Sequence, residues 1–359
     1  MGFNAEMPYY DLPLLPPRVE LETVRTLKRA IGANKALAEL KGVGGLIPNQ
    51  SILLRSILLQ EAKLSSEVEN IFTTDDKLYK AFSENNKQVD PHTKEVLRYE
   101  EALWHGYRQL RQRPLTTSLF VEIVNIIVQN ESGIRKMPGT RIVNSITNET
   151  IYTPPDGEER LRNLLCNLEE FVYAEGDLDP LIRLAVMHYQ FEAIHPFGDG
   201  NGRTGRIINI LYLISQGLLE IPVLYLSRYI IERKSAYYRG LKAVTEKNDW
   251  EDCVVFMLEG IEQTAIATKD KIVAIRKLLD ESLETARQVV PRIYSKELIE
   301  LIFEQPYCRI EFLERKGIAK RQTASRYLKE LARVGMLQQM PFGREVLYIN
   351  LPLFQLLTK

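Results

Sequence analysis

A chain of 359 residues with 45% apolar and 26% charged side chains is long enough for more than one packed core and too balanced in composition to remain disordered. Its 47 lysines and arginines equal its 47 aspartates and glutamates, so no whole-molecule field steers it to nucleic acid or an anionic membrane, and any basic patch must be local. Cys166, Cys253 and Cys308 lie far apart with neither zinc-ligand spacing nor the even count of a disulfide framework, and no apolar run reaches membrane-spanning length. Met1-Gly-Phe-Asn-Ala-Glu-Met-Pro8 lacks a signal-peptide pattern, so a cytoplasmic protein with reduced cysteines and no membrane partner is expected.

Residues 8–17 carry four prolines, which remove donors and bias their neighbours to extended conformations, giving a non-helical arm that is either free or docked on its own protein. From about Glu20 to Gln129 apolar residues recur at three- and four-residue spacing, as at Leu53, Leu54, Ile57 and Leu58, with interruptions at Gly42-Val-Gly-Gly45, Pro91 and Pro114. Several helices are predicted there. Between Arg135 and Pro155 the pattern changes: Thr140-Arg-Ile-Val-Asn144 and Thr150-Ile-Tyr-Thr153 flank a polar turn around Asn148-Glu149, the mark of a β-hairpin. Helical periodicity resumes at about Glu158 and runs to Val290, broken at Gly176, at the loop starting with His195 and at Pro222.

After Pro291 the pattern predicts short helices near Ser295–Glu304, Arg309–Lys316 and Lys320–Val334, then an alternating stretch, Met336–Ile349, that turns at Pro341-Phe-Gly343. Helices followed by a hairpin read as a winged helix. The expected fold is mainly α: an arm and helical segment over 1–95, a core over 96–290 and a winged-helix domain over 291–359.

Chemistry concentrates in His195-Pro-Phe-Gly-Asp-Gly-Asn-Gly-Arg-Thr-Gly-Arg206, between predicted helices Leu181–Ile194 and Arg203–Ser215. Gly198, Gly200 and Gly202 can bend the backbone so that successive N–H groups point inward at a helix start, where the dipole favours a phosphate. Arg203 and Arg206, three apart at that same start, are poorly placed for the dipole unless an anion compensates them. Asp199 supplies one hard oxygen, suited to magnesium shared with phosphates; Asn201 can donate to a phosphate or hold the loop; a near-neutral His195 can take a proton from an attacking hydroxyl. Taken singly, each residue also has a plain explanation as helix terminator, cap, turn former or solvated surface.

Together, residues 195–206 match every fixed position of His-Pro-Phe-x-Asp/Glu-Gly-Asn-Gly-Arg-x-x-Arg, the signature of the Fic (Fido) family of AMP transferases. The chain resembles bacterial members that add an N-terminal helical segment and a C-terminal winged helix. The resemblance implies a protein adenylyltransferase with ATP as substrate and Mg2+ as cofactor. His195 would be the general base, Asp199 the metal ligand, and Gly200, Asn201 and Gly202 the phosphate cradle, with Thr204 and Gly205 in the same nucleotide-binding stretch. Arg203 and Arg206 would hold the β- and γ-phosphates. Tyr237 and Tyr238 fall where the family places its adenine pocket, although a tyrosine pair in a helix is equally a core feature.

The same resemblance makes the hairpin at about 138–155 a flap that docks a target protein as an added strand. It also makes Ser65-Ser-Glu-Val-Glu-Asn70 an inhibitory motif, in which Ser65, Glu69 and Asn70 are the fixed positions and Glu69 pairs with Arg206 in place of the γ-phosphate. Self-modification and a homodimer are further expectations. Two alternatives stay open: removal of AMP from a modified protein at the same site, and DNA binding through Lys320, Arg321, Arg326, Lys329 and Arg333, a basic set diluted by Glu330 and Glu345.

Overall fold

The structure, a computed structural model, describes residues 3–44, 50–83, 89–131, 133–143, 147–342 and 345–358. Gly45, Asn144, Gly343 and the side chains of Leu53 and Leu54 lie outside the described residues. Helices α1 (Val24–Gly44), α2 (Gln50–Val68), α3 (Asp75–Ser83), α4 (Pro91–Gln109) and α5 (Thr117–Val128) precede a hairpin of β1 (Ile142–Val143) and β2 (Thr150–Tyr152). Then come α6 (Glu158–Tyr173), α7 (Pro180–Ile194), α8 (Asn201–Ser215), α9 (Leu226–Glu232), α10 (Lys234–Lys247) and α11 (Glu251–Val289). Two starts, those of α4 and α7, follow directly from Asp-Pro pairs, in which the aspartate caps and the proline, needing no donor, opens the helix. Asp90 accepts from Thr93 N at 3.1 Å, and Asp179 from Leu181 N at 2.8 Å and Ile182 N at 3.3 Å.

A helix that is apolar around its whole circumference has to lie inside the protein. In α7 every side chain from Leu181 to Phe191 is buried, and in α8 every one from Arg203 to Leu213. These two helices pack on each other at the centre; α2, α4 and α5 surround α8, while α1, α6 and α11 surround α7. The 39-residue α11 also carries α9 and α10 and reaches the C-terminal unit. The short connection between the two central helices is therefore held rigidly at both ends.

The proline-rich arm is docked. Leu12 and Leu15 are buried, Asn167 of α6 clamps Leu15 by accepting from its N–H (2.7 Å) and donating to its carbonyl (3.0 Å), and Gln190 of α7 donates to Pro13 O at 2.8 Å. The hairpin expected at about 138–155 pairs Ile142 with Tyr152 and Val143 with Thr150, with an irregularity between the two pairs.

The C-terminal unit runs α12 (Lys296–Glu304), β3 (Tyr307–Cys308), α13 (Ile310–Arg315), α14 (Arg321–Arg333), β4 (Gln338–Phe342), β5 (Glu345–Ile349) and α15 (Leu351–Thr358). Its antiparallel sheet has the order β3-β5-β4. Sequence reading missed β3, too short to show alternation, and α15, whose helical signal is weakened by Pro352 and by being apolar on most sides. Tyr307 donates to Asp76 at 2.7 Å and packs with Tyr79 and Phe354, so the unit rests on α2, α3 and α11. Lys320, just before α14, and Arg321, Arg326 and Lys329 on it face solvent; Arg333, also exposed, is paired with Glu330.

Candidate active site

His195 ends α7 in the left-handed region (φ 47°), an uncommon conformation for a residue with a Cβ, and its N–H closes the helix on Phe191 O at 3.0 Å. Five residues on, Gly200 (φ 80°) starts α8; a side chain there would be strained and would meet Val124 and Val128 at 3.1 Å. Gly198 has no positive φ, so the expectation of three bending glycines narrows to one. Asn201 spans the loop, donating to Phe197 O at 2.8 Å and accepting from Phe197 N at 2.9 Å. Its side-chain amide is thereby committed to holding the loop, one of the two roles the sequence left open for it. The first intrahelical bond of α8 is Thr204 N to Gly200 O, so the N–H groups of Asn201, Gly202 and Arg203 precede the ladder, as helix-start donors do.

The two arginines already have anions. Arg203 is buried and pairs with Glu95 of α4 at 3.1 Å and, more loosely, with Asp199 at 3.5 Å. Arg206, 1% exposed, donates through Nε to Ser65 Oγ (2.7 Å) and through Nη2 to Ser65 O (2.8 Å) and Glu69 Oε1 (2.8 Å). The end of α2 explains how Glu69 gets there. Asn70 takes the left-handed conformation (φ 63°) that closes a helix, Ile71 N returns to Ser66 O, and Lys234 donates to Val68 O and Asn70 Oδ1. Gly202 supplies the room: a Cβ there would lie 2.2 Å from Glu69 Oε1.

Glu69, Gly202, Arg206 and His195 line a cavity of about 140 Å³ together with Tyr237 and Tyr238 of α10, Ile142, Ile151 and Tyr152 of the hairpin, and Leu241. Tyr237 is buried against His188 Nε2 (2.8 Å), whose other nitrogen accepts from Asn209 at 3.0 Å; Tyr238 is partly exposed. The pair is thus wall and core at once. Asp199 projects into solvent with its carboxylate on Gly200 N, while Thr204 is fully buried and Gly205 lets α8 approach Phe191 and Glu192 of α7, so none of these three faces the cavity.

Burial, together with the charge of Arg135, pulls the His195 pKa down to about 4, so the imidazole is neutral at physiological pH. Burial opposes the charges of both Glu69 and Arg206, yet their mutual attraction wins: the carboxyl is held below its ordinary value and the guanidinium above. Glu192, one turn before His195, is pushed up to about 7 by burial and Glu69 against the pull of Arg206, and its Oε1 has no hydrogen-bond partner. Sequence reading missed Glu192, though the one acid in a largely apolar helix was a visible signal. It also missed Arg135, which is buried and donates to His195 O (2.9 Å), Pro155 O and Asp156 (3.0 Å), tying the hairpin's base to the loop.

Fold and site define an α-helical protein organised around a loop that joins two central buried helices and brings a histidine and an arginine together beneath a β-hairpin. Three family models match: the Fic/DOC family N-terminal domain at residues 27–108, the Fic/DOC family at 114–213, and the C-terminal domain of protein adenylyltransferase SoFic-like at 278–353. The chain belongs to the Fic/DOC family. It is 31% identical over 142 residues to the protein adenylyltransferase Fic of Drosophila willistoni, covering 38% of this chain and 27% of that protein. With the protein adenylyltransferase fic-1 of Caenorhabditis elegans it shares 38% identity over 89 residues, covering 24% and 16%. The chain thus spans about a quarter or less of the length of the curated relatives it matches. The crystal structure of a Fic family protein from Desulfovibrio desulfuricans G20 has the same fold, with a TM-score of 0.56 at 20% identity over 93% of this chain and 98% of that one. No helix among the described residues is long and apolar enough to cross a membrane.

Proposed function

We propose that the protein transfers the AMP moiety of ATP to a hydroxyl group of a target protein, and that Glu69 restrains the reaction. One observation carries the reading: a single cavity sets a neutral imidazole and a buried guanidinium at the start of a helix, with aromatic walls beyond. The polar end suits a polyphosphate and the aromatic end a base. The target oxygen attacks the α-phosphorus and its proton passes to His195; the bond to the bridging oxygen of the β-phosphate breaks, and pyrophosphate leaves. In this reaction the N–H groups that open α8 and the two arginines hold the phosphates in line, so the chain contributes positioning and charge stabilisation.

Asp199 fits the role of magnesium ligand, because its exposed carboxylate stands beside the helix start with oxygen to spare. The ion would offset negative charge on the leaving group. With Glu69 on Arg206 the γ-phosphate cannot take that guanidinium, which favours an unproductive pose of ATP. The target segment adds to the hairpin along β1, where Val143 is exposed, since the chain's own Tyr9 already donates to Thr153 O beside β2 (2.9 Å). Incubation with α-labelled ATP and magnesium, followed by mass spectrometry of the protein and of lysate proteins, tests the proposal; a gain of AMP that disappears in His195→Ala is expected, and no labelled protein from either the wild type or Glu69→Gly would reject it.

A further inference from the structure

The cavity is not closed by the helical core alone. Phe3, at the start of the arm, lines it beside Tyr152 and Ile142 of the hairpin. The ring of Phe3 lies nearly parallel to that of Tyr152, at 16° with centroids 6.2 Å apart, and Tyr9 packs edge-on against both. Three polar ties hold this stretch on the hairpin: Tyr9 N to Thr153 O at 2.9 Å, Thr153 Oγ1 to Ala5 O at 2.6 Å, and Arg141 to Glu6 at 3.0 Å. Further along, the arm is fastened to α7 itself, five residues before His195, by Gln190.

Glu69 and Arg206 meet beside Gly202 in the first turns of α8, Lys242 of α10 adds one more charge to the lining, and Phe3 lines the cavity on the ring of Tyr152 in the hairpin. Resting on the nucleotide reading given above, we propose that residues 3–9 form the outer wall of the nucleotide site and that Phe3 packs on the face of the bound base. The arm is then a specificity-determining part of the site, beyond a tether on the surface. Phosphates anchored near Arg206 leave the flat, uncharged base at the aromatic end, and a ring fixed by three hydrogen-bonded neighbours meets it with little ordering cost.

Direct binding measurements on the full chain, with ATP, CTP and inorganic tripolyphosphate as probes, decide the matter. Phe3→Ala should weaken ATP binding about tenfold, the scale of one aromatic–base contact, should narrow the preference for ATP over CTP, and should leave tripolyphosphate binding as in the wild type. Arg141→Glu should weaken ATP in the same way, and the charge-exchanged pair Glu6→Arg with Arg141→Glu should recover it. Phe3→Ala binding ATP as the wild type does, or losing ATP and tripolyphosphate equally, would overturn the role of the arm while leaving the proposed function standing. A wild type that binds none of the probes would overturn both, and one that binds ATP but never transfers AMP would remove the proposed function alone.

Discussion

Replacing Glu69 by glycine tests whether the end of α2 regulates the site or merely packs on it. The substitution costs the fold little, because Glu69 follows the last helical residue, Val68, and the left-handed closure is made by Asn70. Arg206 is not orphaned either: both of its hydrogen bonds to Ser65 remain, and the Glu192 carboxyl lies in its field. What is lost is one charge-assisted bond of 2.8 Å between a buried guanidinium and a carboxylate 35% exposed. Such a bond lies between a surface pair and a fully buried one, about 1.5–3 kcal/mol, so freeing Arg206 for the γ-phosphate should raise AMP transfer about ten- to a hundredfold. Glu69→Gln, which keeps an acceptor without the charge, should give a smaller gain. Because pairing holds the Glu69 carboxyl below its ordinary value, the restraint persists down to acid pH and is lost only as pH falls through that depressed value. Labelled AMP incorporation by wild type, Glu69→Gly and Glu69→Gly with His195→Ala provides the assay. Equal rates in wild type and Glu69→Gly, with ATP bound by both, would refute the regulatory reading.

Other outcomes follow from the same geometry. His195→Ala should abolish transfer while nucleotide still binds; in the wild type, an imidazole that titrates near 4 predicts a rate that rises with pH and levels off by about pH 6, which a pH–rate profile checks. Asp199→Ala should lose most activity and its response to added magnesium, read by titrating the ion at fixed ATP. Glu192 carries a proton below about pH 7 and adds a negative charge beside Arg206 above it, so ATP affinity should fall as pH rises through 7 and should flatten in Glu192→Gln. Arg135→Ala strands the His195 and Pro155 carbonyls and Asp156, and should cost about 3 kcal/mol or more in denaturant unfolding along with activity.

The loop at 195–206 was legible because its chemistry is local: twelve consecutive residues between two apolar helices determine a left-handed cap, a glycine start and a clamp made by one asparagine over a separation of four residues. The helical character and the hairpin were legible for the same reason, from period and turn residues. Partnership across the chain was not. Arg203 meets Glu95 over 108 residues of sequence and Arg135 meets His195 over 60, and nothing in either neighbourhood distinguishes those charges from solvated ones. Glu69 and Arg206, 137 residues apart, were linked in advance only through a resemblance. The physical content of that motif emerges in three dimensions: the asparagine turns the chain, the serine grips the guanidinium from behind, and Gly202 opposite leaves a gap of one side chain. Gly202 was expected to bend the backbone toward phosphate, yet it sits in regular helix and is needed for what approaches it. A carboxylate and a γ-phosphate seek the same gap, the same helix start and the same arginine, so the feature that admits the inhibitor is also the one that would admit the substrate.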